Sequence, residues 1–171
     1  MNLGSNEMDL LQAFDEHHRP VFRFAYRLTG SVADAEDVVQ ACFLELLRPD
    51  CSYDPERAPL RTWLFGVARN QSLKRIRQRG SAILSESSNA PTPENEILRG
   101  ELERVVQQAV MSLPEQQREV LILAHYEQVP LVEIATILGT EVGAVKSRLQ
   151  RARGNLREAL AAYAPKVEQK P

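Results

Sequence analysis

The chain has 171 residues, 43% of them hydrophobic and 6% aromatic, and a formal net charge of -2. That is enough for one medium domain or two small ones, and an apolar content carried by Leu, Val and Ala suits helices better than sheets. No run of about 18 apolar residues is present to enter or cross a membrane, and the acidic start MNLGSNEMDLLQAFDEHH lacks the basic and apolar segments of a signal peptide. Cys42 and Cys51 are too few for a disulfide framework and read as reduced thiols in a cytoplasmic protein.

Helical spacing runs from end to end. Between Met8 and Asp15, Leu11 and Phe14 stand at i, i+3. After Pro20, Val21, Phe22, Ala25 and Leu28 recur, and Gly30 closes the run. Ser31 and Asp34 read as a capping box, followed by a stripe of Val38, Ala41, Cys42 and Leu46. RPDCSYDPERAP, residues 48–59, is a loop. A helix is predicted over Leu60 to about Gln78, anchored by Leu60, Trp63, Leu64, Val67 and Ala68. Its second half is a projecting basic rod: Arg61 to Arg79 holds six cations and no acid. GSAILSESSNAPTPEN, residues 80–95, reads as a flexible linker. Further helices are predicted at Ile97–Met111, Pro114–Tyr126, Leu131–Leu138 and Val142–Tyr163, and the tail should fray. The expectation is an all-α chain of two small helical domains, 1–79 and 97–163, joined by a flexible segment over 80–96, with a frayed tail over 164–171.

The last helix has two distinct faces. Val145, Leu149, Ala152, Leu156 and Leu160 form an apolar stripe, while Gly143, Lys146, Ser147, Gln150, Arg151 and Gly154 form one without a large apolar side chain. Such small and polar groups reach phosphates and base edges. The short amphipathic helix before it and the Gly139-Thr140 turn complete a helix-turn-helix. A solvated basic face is the alternative for that stripe. Trp63 is core by spacing, or a platform for a stacked base. Asp34, Glu36 and Asp37, with Gln40 one turn beyond Glu36, either complement the helix dipole or dock a basic partner. His17, His18 and His125 have no metal-ligand spacing, and no phosphate loop or nucleophile elbow is found. No metal, cofactor or catalytic residue is expected.

At these residues the chain resembles the bacterial RNA polymerase sigma factors of the extracytoplasmic-function (ECF) group, over roughly residues 10–160. AEDVVQACFLELL and LRTWLFGVARN look like region 2; LPEQQREVLIL, EIATILG and GAVKSRLQRAR look like region 4. The resemblance implies a region 2 bundle and a region 4 helix-turn-helix that bind core RNA polymerase and promoter DNA, with an anti-sigma factor as a further partner and a role in stress response. It assigns core polymerase contact to Asp34, Glu36, Asp37 and Gln40. The melted -10 element falls to Arg61, Trp63, Arg69, Asn70, Lys74 and Arg75, and the -35 element to Lys146, Ser147, Gln150 and Arg151. Lys74 stands where the family usually has Asp, VPLVEIA where LSYEEIA is common, and Gly143-Ala144 where Gly-Thr is usual. The implied promoter elements lie about two duplex turns apart, each about 34–36 Å. A relaxed coil over residues 80–95 spans only about 20–24 Å, so the polymerase must hold the modules apart and the free protein should bind promoters poorly. The rival reading is a stand-alone dimeric helix-turn-helix regulator.

Overall fold

Seven α-helices and one π-turn form the regular structure among the described residues of the computed structural model, 3–82, 101–161 and 163, with no strand among them. Helix α1, Leu3–Thr29, runs unbroken through Pro20. The missing N–H leaves the Glu16 carbonyl without its donor four residues on, at an exposed position where water can supply one. Gly30, at φ 71°, ends the helix by donating its N–H to Tyr26 O at 2.8 Å. Helix α2, Val32–Leu47, starts at Ser31, whose hydroxyl accepts from Asp34 N at 3.2 Å. Only half of the expected capping box forms, because the Asp34 carboxylate turns to Arg79.

Helix α3, Leu60–Ala82, is longer than its apolar stripe suggests. It lies across α1 and α2 and buries Leu64, Phe65, Ala68 and Leu73. Phe65 meets Phe24 edge-on, with ring centroids 5.4 Å apart, and Val38 and Cys42 close the core from α2. Leu11 and Phe14 stay 66% and 40% exposed, although their spacing is helical; Phe14 instead stacks on His18 at 4.6 Å.

The second module holds α4 (Glu101–Met111), α5 (Glu115–Leu121), a π-turn (Ile122–Tyr126), α6 (Leu131–Leu138) and α7 (Val142–Ala161). Pro114 and Pro130 precede α5 and α6, where a residue without an N–H costs no helical bond. Gly139, at φ 60°, caps α6, and Thr140 N reaches back to Ala135 O at 3.0 Å. The expected linker falls mainly on 83–100, outside the described residues, as does the expected frayed tail over 164–171. The two modules pack against each other: α1 meets α4 and the π-turn, α3 meets α6, and one buried cluster extends through both.

Candidate nucleic-acid and docking surfaces

On α7, Val145, Leu149 and Ala152 are buried and Leu156 half-buried. Lys146, Ser147, Gln150 and Arg151 all stand exposed, in the order the two stripes predicted. Ser147 rests its hydroxyl on Gly143 O at 3.1 Å, while Lys146 and Arg151 make no ion pair among the described residues. Asn155 donates to Gln117 at 2.8 Å and Arg153 to His125 at 3.0 Å, which fix α7 against α5 and the π-turn. The four side chains of the polar stripe therefore face outward from the frame that α7 makes with α5 and the π-turn.

Helix α3 departs from the projecting rod expected of it. Asn70 and Lys74 are exposed, but four arginines are engaged. Arg75 pairs with Asp37 at 3.1 Å and Arg79 with Asp34. Arg69 Nε lies 3.1 Å from Glu119 Oε1, near enough for an ion pair, although the N–H is not aligned on the oxygen. Arg61 donates to the backbone carbonyl of Glu127 at 2.5 Å. Trp63 is half-buried rather than core, tilted against Tyr53 with centroids 5.6 Å apart. Its ring packs against the core on one side and against the preceding loop at Tyr53, and it stays partly exposed.

On α2, Glu36, Asp37 and Gln40 are exposed, and Asp34 has only 20% of its side chain exposed beneath Arg79. Leu44 and Leu47 continue outward from Gln40 at 56% and 52% exposure. A shallow, mainly apolar groove between α1 and α2, lined by His18, Phe22, Glu36 and Val39, flanks the acids. Acidic groups thus lie beside exposed leucines, a mixture that protein-docking surfaces share.

Pattern reading missed the acids of the second module that meet the first. Glu119 and Glu127 are 1% and 2% exposed, and Glu133 accepts from Thr62. Burial raises the Glu119 carboxyl above its ordinary range, and Arg69 only partly opposes this. The one available signal was Glu119 standing directly before the buried run Val120–Leu123. The free thiol of Cys42, pushed up to about 12 by burial, packs as an apolar group. No cluster of potential metal ligands occurs among the described residues.

A helical bundle with a docking face, joined to a helix-turn-helix with an open polar stripe, defines a DNA-binding transcription factor that also engages a protein partner. Residues 13–82 match Sigma-70 region 2 and residues 103–156 match Sigma-70 region 4. The chain is 37% identical over 158 residues to the ECF RNA polymerase sigma factor SigL of Mycobacterium tuberculosis (strain Erdman), covering 88% of this chain and 89% of that protein. It is 30% identical over 161 residues to SigW of Bacillus subtilis (strain 168), covering 85% and 86%. Among solved structures it is similar to the sigma factor RpoE of Bartonella quintana, in complex with the anti-sigma factor NepR. That TM-score is 0.72, at 26% identity over 90% of this chain and 97% of that one. CnrH in complex with the cytosolic domain of CnrY gives the same score and identity, over 91% and 90%. The chain belongs to the ECF RNA polymerase sigma factors.

Proposed function

We propose that this chain joins core RNA polymerase through α2 and directs it to promoters read by α7 and α3. The observation that carries this reading is on α7, where Lys146, Ser147, Gln150 and Arg151 are exposed while Val145, Leu149 and Ala152 of the opposite stripe are buried. Lys146, Ser147, Gln150 and Arg151 face the -35 element as duplex, the two cations on phosphates and Gln150 on a base edge. Arg61, Trp63, Arg69, Asn70, Lys74 and Arg75 serve the melted -10 strand, with the partly exposed Trp63 ring available for a base to stack on. Glu36, Asp37 and Gln40 meet the polymerase beside Leu44 and Leu47, and Asp34 supports them from below by orienting Arg79. The division at 1–79, 80–96 and 97–163 belongs to the same reading, supported by the two matched stretches. The protein works in the cytoplasm and not as an enzyme. No helix among the described residues is long and apolar enough to cross a membrane. RpoE was solved with the anti-sigma factor NepR, which supports similar control here.

Run-off transcription with core polymerase on promoter fragments from the source genome tests this reading. Initiation at sites that core alone ignores is the expected result; a chain that core does not bind would favour the dimeric regulator. Lys146→Ala should weaken promoter binding evenly across sequences and reduce the salt slope by about 1. Gln150→Ala should instead lose about 1–3 kcal/mol of discrimination at one base pair. Equal sequence preference in both variants would remove Gln150 from base reading.

A further inference from the structure

Of the seven large apolar side chains left exposed among the described residues, Leu11, Phe14, Leu44 and Leu47 lie along the outward seam between α1 and α2. Contiguous exposure of this kind marks an interaction surface. The two helices run antiparallel from the turn at Gly30, and contacts across the seam fix its register. Phe14 meets Phe43 with ring centroids 4.9 Å apart, and further along Phe22 of α1 and Val39 of α2 line the same groove. At about 1.5 Å per residue, Leu11 stands about level with Leu47, and Arg19 stands within a turn of Glu36 and Gln40. Arg19 and Glu36 are both exposed and both line the groove, yet neither makes an ion pair among the described residues. The α1 side of the seam therefore offers a free cation and the α2 side a free acid, and both sides carry exposed apolar side chains at the far end.

We propose that the free chain forms a two-fold dimer through this seam, an inference that rests on the docking role given to α2 above. A surface joins a second copy of itself only if it is self-complementary across the axis. With the axis along the seam, α1 of each copy lies on α2 of the other. Arg19 then meets Glu36, Leu11 and Phe14 meet Leu44 and Leu47, and the amide of Gln40 comes within reach of the exposed Asp15, each contact being made twice. The dimer covers Glu36, Gln40, Leu44 and Leu47, the face that α2 offers to polymerase, so the second copy and the polymerase compete. Residues 11–23 span about 18 Å, and two helices each about 10 Å wide make the face roughly 360 Å² in projection. A stable complex takes about 800 Å² from each partner. The dimer is therefore weak and exchanging: it forms as the chain accumulates and yields to a tighter partner. It is a withheld form of the sigma factor, not the DNA-reading dimer of a stand-alone regulator.

Sedimentation velocity of the full chain over a range of concentrations reads self-association. The wild type should pass from monomer to dimer as concentration rises. Arg19→Glu and Glu36→Arg should each weaken the dimer about tenfold, because the two-fold axis repeats every like-charge contact. The decisive sample is a mixture of the two variants. Opposite charges then face each other at both contacts, so each variant should bind the other about tenfold more tightly than it binds itself, which native mass spectrometry reads from the difference in mass. Misfolded chains would not regain binding on mixing. Leu44→Ser with Leu47→Ser should remove the dimer by the apolar route. A wild type that stays monomeric at every concentration overturns the dimer, and a mixture that gains nothing over its components overturns the seam as its interface. Core polymerase added to the dimer should yield only complexes with one copy of the chain; a complex that holds two copies overturns the competition. Core binding at low concentration, where the chain is monomeric, reads the sigma function separately: polymerase that ignores the monomer would fail that reading and leave the mixing result standing.

Discussion

His17 sits on α1 with 17% of its side chain exposed, 3.8 Å from a Glu16 carboxylate oxygen. Burial pushes its pKa below the ordinary imidazole value, Glu16 opposes that shift and the positive field of Arg61 adds to it. The folded state therefore prefers the neutral ring. Its contribution to stability is present above about pH 6.5 and is lost as pH falls through the depressed folded value, with a slope of at most about 1.4 kcal/mol per pH unit for one proton. Glu119 acts in the opposite sense: burial raises its carboxyl, so its contribution is complete below the ordinary carboxylate range and lost as pH rises through the folded value. The two are separable by mutation. Between pH 7 and pH 5 the urea midpoint of the wild type should decline relative to that of His17→Gln, since Glu119 acts alike in both; parallel curves would mean that His17 carries no linked proton. The same burial that depresses His17 holds Cys42 neutral, which argues against a redox role for that thiol.

At the scale of elements, left-handed backbone is used twice in the second module with different residues. Gly139 takes φ 60° at the end of α6 with open space around it, while Gln128 takes φ 53° after the π-turn. A side chain in this region costs roughly 1–2 kcal/mol. Gly139→Ala should therefore destabilise the protein by about 1 kcal/mol, and Gln128→Gly should raise its stability by up to about 1 kcal/mol; thermal melts of both variants check this, and shifts of the same sign would refute it. The α6 turn was readable because Gly139 follows an amphipathic run. The face of α7 was readable because one stripe is wholly apolar and the other lacks any large apolar residue. Gln128 carries no such mark, since nothing in its side chain favours positive φ. Trp63 misled for a related reason. It shares spacing with Leu60 and Leu64 and does pack against the core, but α1 and α2 cover the side of α3 centred on Leu64, Phe65 and Ala68, so Trp63 is only partly buried and also meets the loop residue Tyr53. The contacts of Arg61 and Arg23 with Glu127 were invisible for the most general reason: the partners are 66 to 104 residues apart, and periodicity reports only a residue's own helix.

For the whole molecule, a net charge of -2 conceals an internal neutralisation. Of the cations on α3, Arg69, Arg75 and Arg79 pair with acids and Arg61 joins the group at Glu127, while Lys74 and Arg77 remain exposed. The unpaired positive charge that α3 offers is therefore smaller than its sequence suggests, whereas Lys146 and Arg151 on α7 make no ion pair among the described residues. In this packing the chain also cannot span a promoter: α6 and α7, about 12 Å and 30 Å long, start from a direct contact between Glu133 and Thr62 on α3. Laid end to end they fall short of two duplex turns, about 70 Å, so on the proposed assignment of the two promoter elements to α3 and α7 both could be read only with the modules further apart. Salt dependence can count the groups that such separation releases. Each phosphate contact contributes about -0.9 to the slope of log K against log salt on duplex and about -0.7 on single strands. Glu127→Gln removes the carboxylate that Arg61 approaches from α3 and should let the modules part more readily. Freeing Arg61 and Arg69 in this way should steepen the single-strand slope by about 1.4, and the slope on a short duplex, set by Lys146 and Arg151, should stay as in the wild type. A parallel change on both substrates would assign the effect to the lost carboxylate's long-range field rather than to two arginines newly able to reach the strand.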